Sequence, residues 1–233
     1  MGMPELLIEI KAAATTAVTR SGRGVVALIL KDDTSQTDTF VYVKMTSVVK
    51  SHWTAANLDY LQKTFDGSPA RVIVERIGEA SGNLTEALTR LKTKKWNYLA
   101  VPGATPEEVT EIETWIKNNR AAGLTFKAVL PDTAADNEGI VNFATDDIAV
   151  GKKTYTTAEY CCRIAGILAG TDLDNSATYT VLPEVLSITE STDPDTDVES
   201  GKLILINDGE NIKLGRAVNS LKTIGGGKTE DMK

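Results

Sequence analysis

Between Gly24 and Phe143 the chain alternates short, nearly continuous apolar runs with longer amphipathic stretches, and that alternation constrains its fold most. The runs are GVVALILK (24–31), TFVYVKM (39–45), RVIVERI (71–77), NYLAV (97–101), FKAVLP (126–131) and GIVNF (139–143). A run that is apolar at consecutive positions suits a strand covered on both faces. The stretches between them carry helix signals. TAANLDYLQKTF starts at Thr54 and stops before Gly67, and Asn83 stands three residues ahead of Glu86 in capping-box spacing. Thr105 caps a helix with Pro106 at its first position and Glu107 and Glu108 facing its positive end. Val109, Ile112, Trp115 and Ile116 fall on one face of that helix, and Gly123 serves as its stop. Strands alternating with helices predict an α/β fold with α+β tendency, a mixed β-sheet layered with helices.

The two ends depart from this rhythm. In PELLIEIK, Leu6, Ile8 and Ile10 alternate with Glu5, Glu9 and Lys11, which is strand periodicity, and Ser21-Gly22-Arg23-Gly24 then breaks the chain. An N-terminal β-strand set off in this way has no local partner, so its backbone groups must pair elsewhere in the chain or on another copy. In the second half, DDIAVGKKTYT reads as a hairpin around Gly151-Lys152 and TAEYCCRIAGILAGT as a helix with Thr156 and Glu159 in capping-box spacing. SITESTDPDTDVESG (187–201) carries five carboxylates and no basic residue, so a solvated loop is expected. GKLILINDGENIKLGRAVNSL (201–221) is a late β-hairpin turning at Asp208-Gly209, with nothing after it in the chain to pack over it.

A formal net charge of −7 argues against a nucleic-acid partner, which needs a cationic footprint. No apolar run approaches the ~20 residues that span a bilayer, and the N-terminus lacks the pattern of a secretory signal. The two cysteines, Cys161 and Cys162, are adjacent, which disfavours a disulfide and predicts two buried free thiols.

A search for chemistry finds no catalytic constellation. GGGKT (225–229) lacks the glycine that a phosphate loop needs at position 222, which is Lys222, and no long helix follows. SGRG precedes a strand, whereas a dinucleotide fingerprint must follow one. His52 is the sole histidine and stands beside Trp53 just ahead of a helix, so a structural role is expected. One histidine with two adjacent cysteines is a poor zinc set. Asp132, Asp136, Asp146 and Asp147 read as turn residues. No cofactor or metal is expected. The rival readings are a nucleotide-binding α/β enzyme and an adaptor or receptor-binding module.

Four stretches together resemble the tail sheath proteins of contractile phage tails, above all the compact sheaths of Gram-positive phages and phage-tail-like bacteriocins. They are PELLIEIKAAATTAVTRSGRGVVALILKD, FKAVLPDTAADNEGIVNF, YCCRIAGILAGTDLDNSATYTVLPEV and GKLILINDGENIKLGRAVNSLKT, in the family's order. The resemblance implies a structural subunit with no catalytic residues, which polymerises around a tail tube and contracts to drive it through a cell envelope. It implies an arm over residues 1–21, with Leu6, Leu7, Ile8 and Ile10 adding to a neighbouring copy's strands, and a body over 22–233. The implied partners are other copies, the tube, the baseplate and the tail terminator. The implied location is the virion or a tail-like particle, assembled in the bacterial cytoplasm. The family continues beyond a point matching Lys233, so the chain reads as a fragment without the C-terminal part.

Overall fold

The computed structural model describes residues 22–34, 38–79 and 83–223. In chain order the strands are β1 (Val25–Lys31), β2 (Thr39–Tyr42), β3 (Arg71–Ile77), β4 (Tyr98–Ala100), β5 (Lys127–Pro131), β6 (Ile140–Phe143), β7 (Ile148–Val150), β8 (Lys153–Tyr155), β9 (Val185–Ser187), β10 (Lys202–Leu203), β11 (Leu205–Asn207) and β12 (Ile212–Leu214). The helices are α1 (Ala55–Asp66), α2 (Leu84–Lys92), α3 (Pro106–Ala121), α4 (Thr157–Gly170) and α5 (Pro194–Glu199). A seven-stranded sheet runs in the order β10-β6-β5-β4-β1-β3-β2. Its neighbours are parallel except β2, which pairs antiparallel with β3. The mixed sheet and its helices match the α/β expectation.

The continuous apolar runs are explained by two core layers. On one face Val26, Leu28, Leu30, Val72, Val74 and Val129 lie under α1 and α4. On the other, Ala27, Ile29, Ile73, Leu99 and Ala128 lie under α2 and α3. The second layer ends in a stack in which Phe126 lies 4.3 Å from Trp96 and 5.4 Å from Trp115. Helix starts follow the caps: Thr105 with Glu108, and Thr156 with Glu159, close full capping boxes. Asn83 accepts from the Glu86 backbone N–H, but the Glu86 carboxylate takes its return bond from the Asn83 side-chain amide at 2.9 Å. Gly123 ends α3 at φ +87.

On the first face, α1 and α4 meet backbone to backbone. A Cβ on Gly67 would stand 2.1 Å from the Gly166 carbonyl carbon, one on Gly166 2.3 Å from the Thr64 oxygen, and one on Gly170 1.7 Å from the Gly67 oxygen. The α4 end also receives the chain entering β1, through Gly24 N–H donating to Ala169 O at 2.5 Å.

Three expectations are corrected. Residues 39–45 form no buried central strand. β2 lies at the sheet edge, with Val41 55% and Val43 67% exposed. Phe40, Tyr42 and Met45 pack on the core, so the outward valines imitated a two-sided run. The acidic stretch carries a helix, α5, because Asp193 accepts from Thr196 N–H at 3.1 Å and Pro194 takes the first position. The late hairpin is also packed by its own chain. Leu203 joins the large sheet through β10, while Leu205, Ile212 and Leu214 of β11 and β12 are buried in the layer of α4. Between them, Ile204 accepts from Gly215 N–H at 2.8 Å.

Candidate self-assembly surfaces

In an open sheet, small ligands bind outside the carboxyl ends of the strands where the chain changes faces. Here that point lies beyond β1 and β4, since α1 leads to β3 on one side and α3 follows β4 on the other. The chain's own groups fill it. Asp32, next after β1, accepts from Thr34 N–H, Thr54 N–H and the Asn57 amide, each at 2.8 Å, and so occupies the anion position at the α1 N-terminus. Lys31 bridges to Glu108 in the first turn of α3 at 2.7 Å. Burial would raise the Asp32 pKa, but the Thr34 hydroxyl together with these donors outweighs it and holds the carboxyl at about 2, against 3.8 in the unfolded chain.

A depressed pKa contributes stability above the unfolded value that is lost as pH falls through the folded one. Asp32 should therefore contribute about 2 kcal/mol at neutral pH, disappearing between pH 4 and about 2. Asp32→Asn should lower the urea midpoint at pH 7 while flattening the acid limb of the stability profile. An unchanged acid limb would remove Asp32 from this role.

The other candidate residues lie apart. Cys161 and Cys162 are free and fully buried in α4, and burial pushes both thiols up, Cys162 to about 12. His52 is half-buried, its ring 5.7 Å from Phe40. Asp132, Asp136 and Asp147 occupy turns with positive φ, and Asp146 accepts from Thr157 N–H at the start of α4. Among the described residues no three His, Cys, Asp or Glu side chains group as metal ligands, and no helix is long and apolar enough to cross a membrane. Leu6, Leu7, Ile8 and Ile10 of the expected arm lie outside the described residues, as does GGGKT.

The described body does present surface suited to association. β2 has β3 on one side and no ladder partner on the other among the described residues. Large exposed apolar side chains fall in two stretches of the chain: Val41, Val43 and Val49 on and after β2, and Leu173, Tyr179, Val181 and Leu186 between α4 and the end of β9. The exposure of the second stretch was not anticipated from ATYTVLPEV. Tyr179 adopts φ +62, a left-handed conformation that costs a non-glycine residue roughly 1–2 kcal/mol. It is fixed there by donating to Leu214 O at 3.0 Å, while Leu214 N–H donates to Thr180 O and Leu182 N–H to Ile212 O. The ring is therefore presented outward by paired backbone. Beside it a groove of about 580 Å³ opens between the ends of α1 and α4 and residues 180–184. At its wall the buried Arg163 donates to Glu184 at 2.6 Å. Burial would raise the Glu184 pKa, but the guanidinium prevails and holds it below the usual range.

A layered α/β body whose strand-end crevice is closed by the Asp32 hydrogen bonds and the Lys31–Glu108 ion pair, and which exposes apolar side chains on an edge strand and a loop, offers surface for association. Residues 78–220 match the phage tail sheath protein central domain, and the chain belongs to the phage tail sheath family. It is 36% identical, over 242 aligned positions covering 98% of its length, to the tail sheath protein of Clostridium phage phiCD119. It spans 66% of that relative. Its fold is shared with the sheath tail protein Lin1278 from Listeria innocua, with a TM-score of 0.77 at 14% identity over 94% of this chain and 74% of that one. It is shared also with the contracted helical sheath of the anti-feeding prophage, with a TM-score of 0.66 at 11% identity over 91% of this chain and 66% of that one.

Proposed function

We propose that the chain is a structural subunit of a contractile tail sheath, polymerising around a tail tube and rearranging to drive that tube through a target cell envelope. The observation that carries this reading is the match of residues 78–220 to the sheath central domain, and the fold shared with a contracted helical sheath agrees with it. Residues 22–233 form the body, and residues 1–21 form an arm whose Leu6, Leu7, Ile8 and Ile10 complete a strand ladder on a neighbouring copy. Such arms tether copies while the bodies repack between two lattices, each contact contributing little and the sum over many copies a great deal. The tube, the baseplate and the tail terminator are its further partners. It resides in a virion or tail-like particle after assembly in the host cytoplasm, and it catalyses no reaction. Asp32 in the anion position of the α1 N-terminus argues against the nucleotide-enzyme alternative.

Electron microscopy of the whole protein, with and without residues 1–20, tests this. Tubes are expected from the intact protein, and shortened or absent tubes after deletion, with circular dichroism of the body unchanged. An intact protein that stays monomeric would overturn the sheath reading. Tubes unaffected by the deletion would overturn the arm.

A further inference from the structure

Gly67, Arg163, Ile167, Gly170, Val181 and Glu184 line the groove between the ends of α1 and α4 and residues 180–184, and two of them carry polar groups with no partner. Residues 179–182 run antiparallel to β12, with an isolated bridge between Val181 and Lys213. The ladder bonds flank that bridge: Leu182 N–H donates to Ile212 O at 2.9 Å and Leu214 N–H to Thr180 O at 2.8 Å. Val181 is therefore in a non-hydrogen-bonded pair, and its own N–H and C=O point away from β12 as an open edge. Neither has a hydrogen-bond partner among the described residues. On the α4 wall Arg163 is 5% exposed. Its Nε donates to Glu184, but its Nη1 makes no hydrogen bond. A buried donor left open is a standing cost that a main-chain carbonyl in the groove would remove.

The chain enters the body at one end of this groove. Gly24 N–H donates to Ala169 O, Ala70 N–H donates to Gly24 O, and Arg23 pairs with Asp172 at 3.6 Å. Residues 22–24 thus lie against the end of α4, where Gly170 and Thr171 line the groove. From Gly170 back to Arg163 is about 10 Å of helix, which an extended chain covers in about three residues. The residues ahead of Gly22 suit an extended path, since Thr16, Val18 and Thr19 are β-branched. We propose that residues 16–21 of the same chain occupy the groove as a strand added at Val181. The carbonyls of Ala17 and Val18 then reach toward Arg163, and Arg20 falls beside Asp66. The tether at residues 22–24 selects this occupant, because it holds the segment at the groove's mouth at an effective concentration above that of any free second copy. The seat fixes the root of the arm and sets the direction in which Leu6, Leu7, Ile8 and Ile10 leave the body. It stands whether or not those residues pair with a neighbour.

Two full-length double-cysteine variants test the seat: Val18→Cys with Val181→Cys, and Val18→Cys with Leu173→Cys. Val181 and Leu173 are both exposed, while Cys161 and Cys162 are buried out of reach. Leu173 follows Asp172 beside the tether but does not line the groove. Each variant is treated with a short bismaleimide at dilute protein concentration, and linked peptides are read by mass spectrometry. The intrachain 18–181 link should exceed the 18–173 link about tenfold, since an unseated segment anchored at Gly22 would reach both. Equal yields, or a preference for position 173, would overturn the seat. Mixing the single variants V18C and V181C reports on a neighbour's groove. A link between copies in place of the intrachain one would overturn the same-chain assignment and leave the sheath reading intact. Amide exchange gives a second readout. Deleting residues 1–20 should speed exchange at the Val181 N–H about tenfold while leaving Leu182, bonded to Ile212, as it was. No change at Val181, or the same change at Leu182, would overturn the added strand.

Discussion

Gly170→Ala should destabilise the protein by more than about 3 kcal/mol, or prevent folding altogether. The new Cβ would stand 1.7 Å from the Gly67 carbonyl oxygen, and the obstacle is backbone, which cannot rotate away. Relief requires α1 and α4 to separate, opening a layer that contains Leu61, Tyr160 and Ile164. Overpacking in a core ordinarily costs 1–3 kcal/mol, roughly, and more where nothing can yield. Gly103→Ala is the matched control. Gly103 has φ +68 but open space around its Cβ, so only the backbone term of about 1 kcal/mol applies. Urea unfolding of both variants separates the effects, and a Gly170→Ala protein with the wild-type midpoint would refute the close crossing.

Glu75→Ala should lose about 3 kcal/mol and loosen the β2 edge. Glu75 is 0% exposed on β3 and joins three elements. Arg90 of α2 donates to it at 2.6 Å, Lys94 binds the other oxygen, and Thr39 of β2 donates at 2.9 Å. Removing one member of a buried pair costs about 3–5 kcal/mol, and the partly exposed Arg90 and Lys94 place this case at the low end. Amide exchange at residues 39–42 should accelerate more than at residues 25–31. Replacing Glu75, Arg90 and Lys94 together by apolar residues of similar volume should recover most of the loss. Equal exchange in the two strands would separate the network from the edge.

The fold was legible where local and global signals agree. The β1 run, the Thr105 cap and the Thr156 box carry their outcome in a few adjacent residues. β2 misled because Val41 and Val43 keep strand propensity on a face that solvent reaches, and composition does not record which edge a strand occupies. α5 escaped because its helix rests on Asp193-Pro194 with no apolar face, so carboxylate density dominated the reading. The glycines of α4 carried a weak signal in their spacing at 166 and 170, but their partner, Gly67, is a hundred residues away. The family was legible from four blocks in order. The outward Tyr179 was not, since an exposed aromatic in a left-handed backbone has no periodicity to betray it.

The single residue between β10 and β11 has a mechanical consequence. Ile204 is 1% exposed and its carbonyl is tied to Gly215, so it offers no slack at which the terminal ribbon could swivel. Force arriving at the Asp208-Gly209 tip passes through Ile204 into the ladder of β10 on β6 and through β12 into the backbone of residues 179–182. Ribbon and slab are thereby braced along two routes at once.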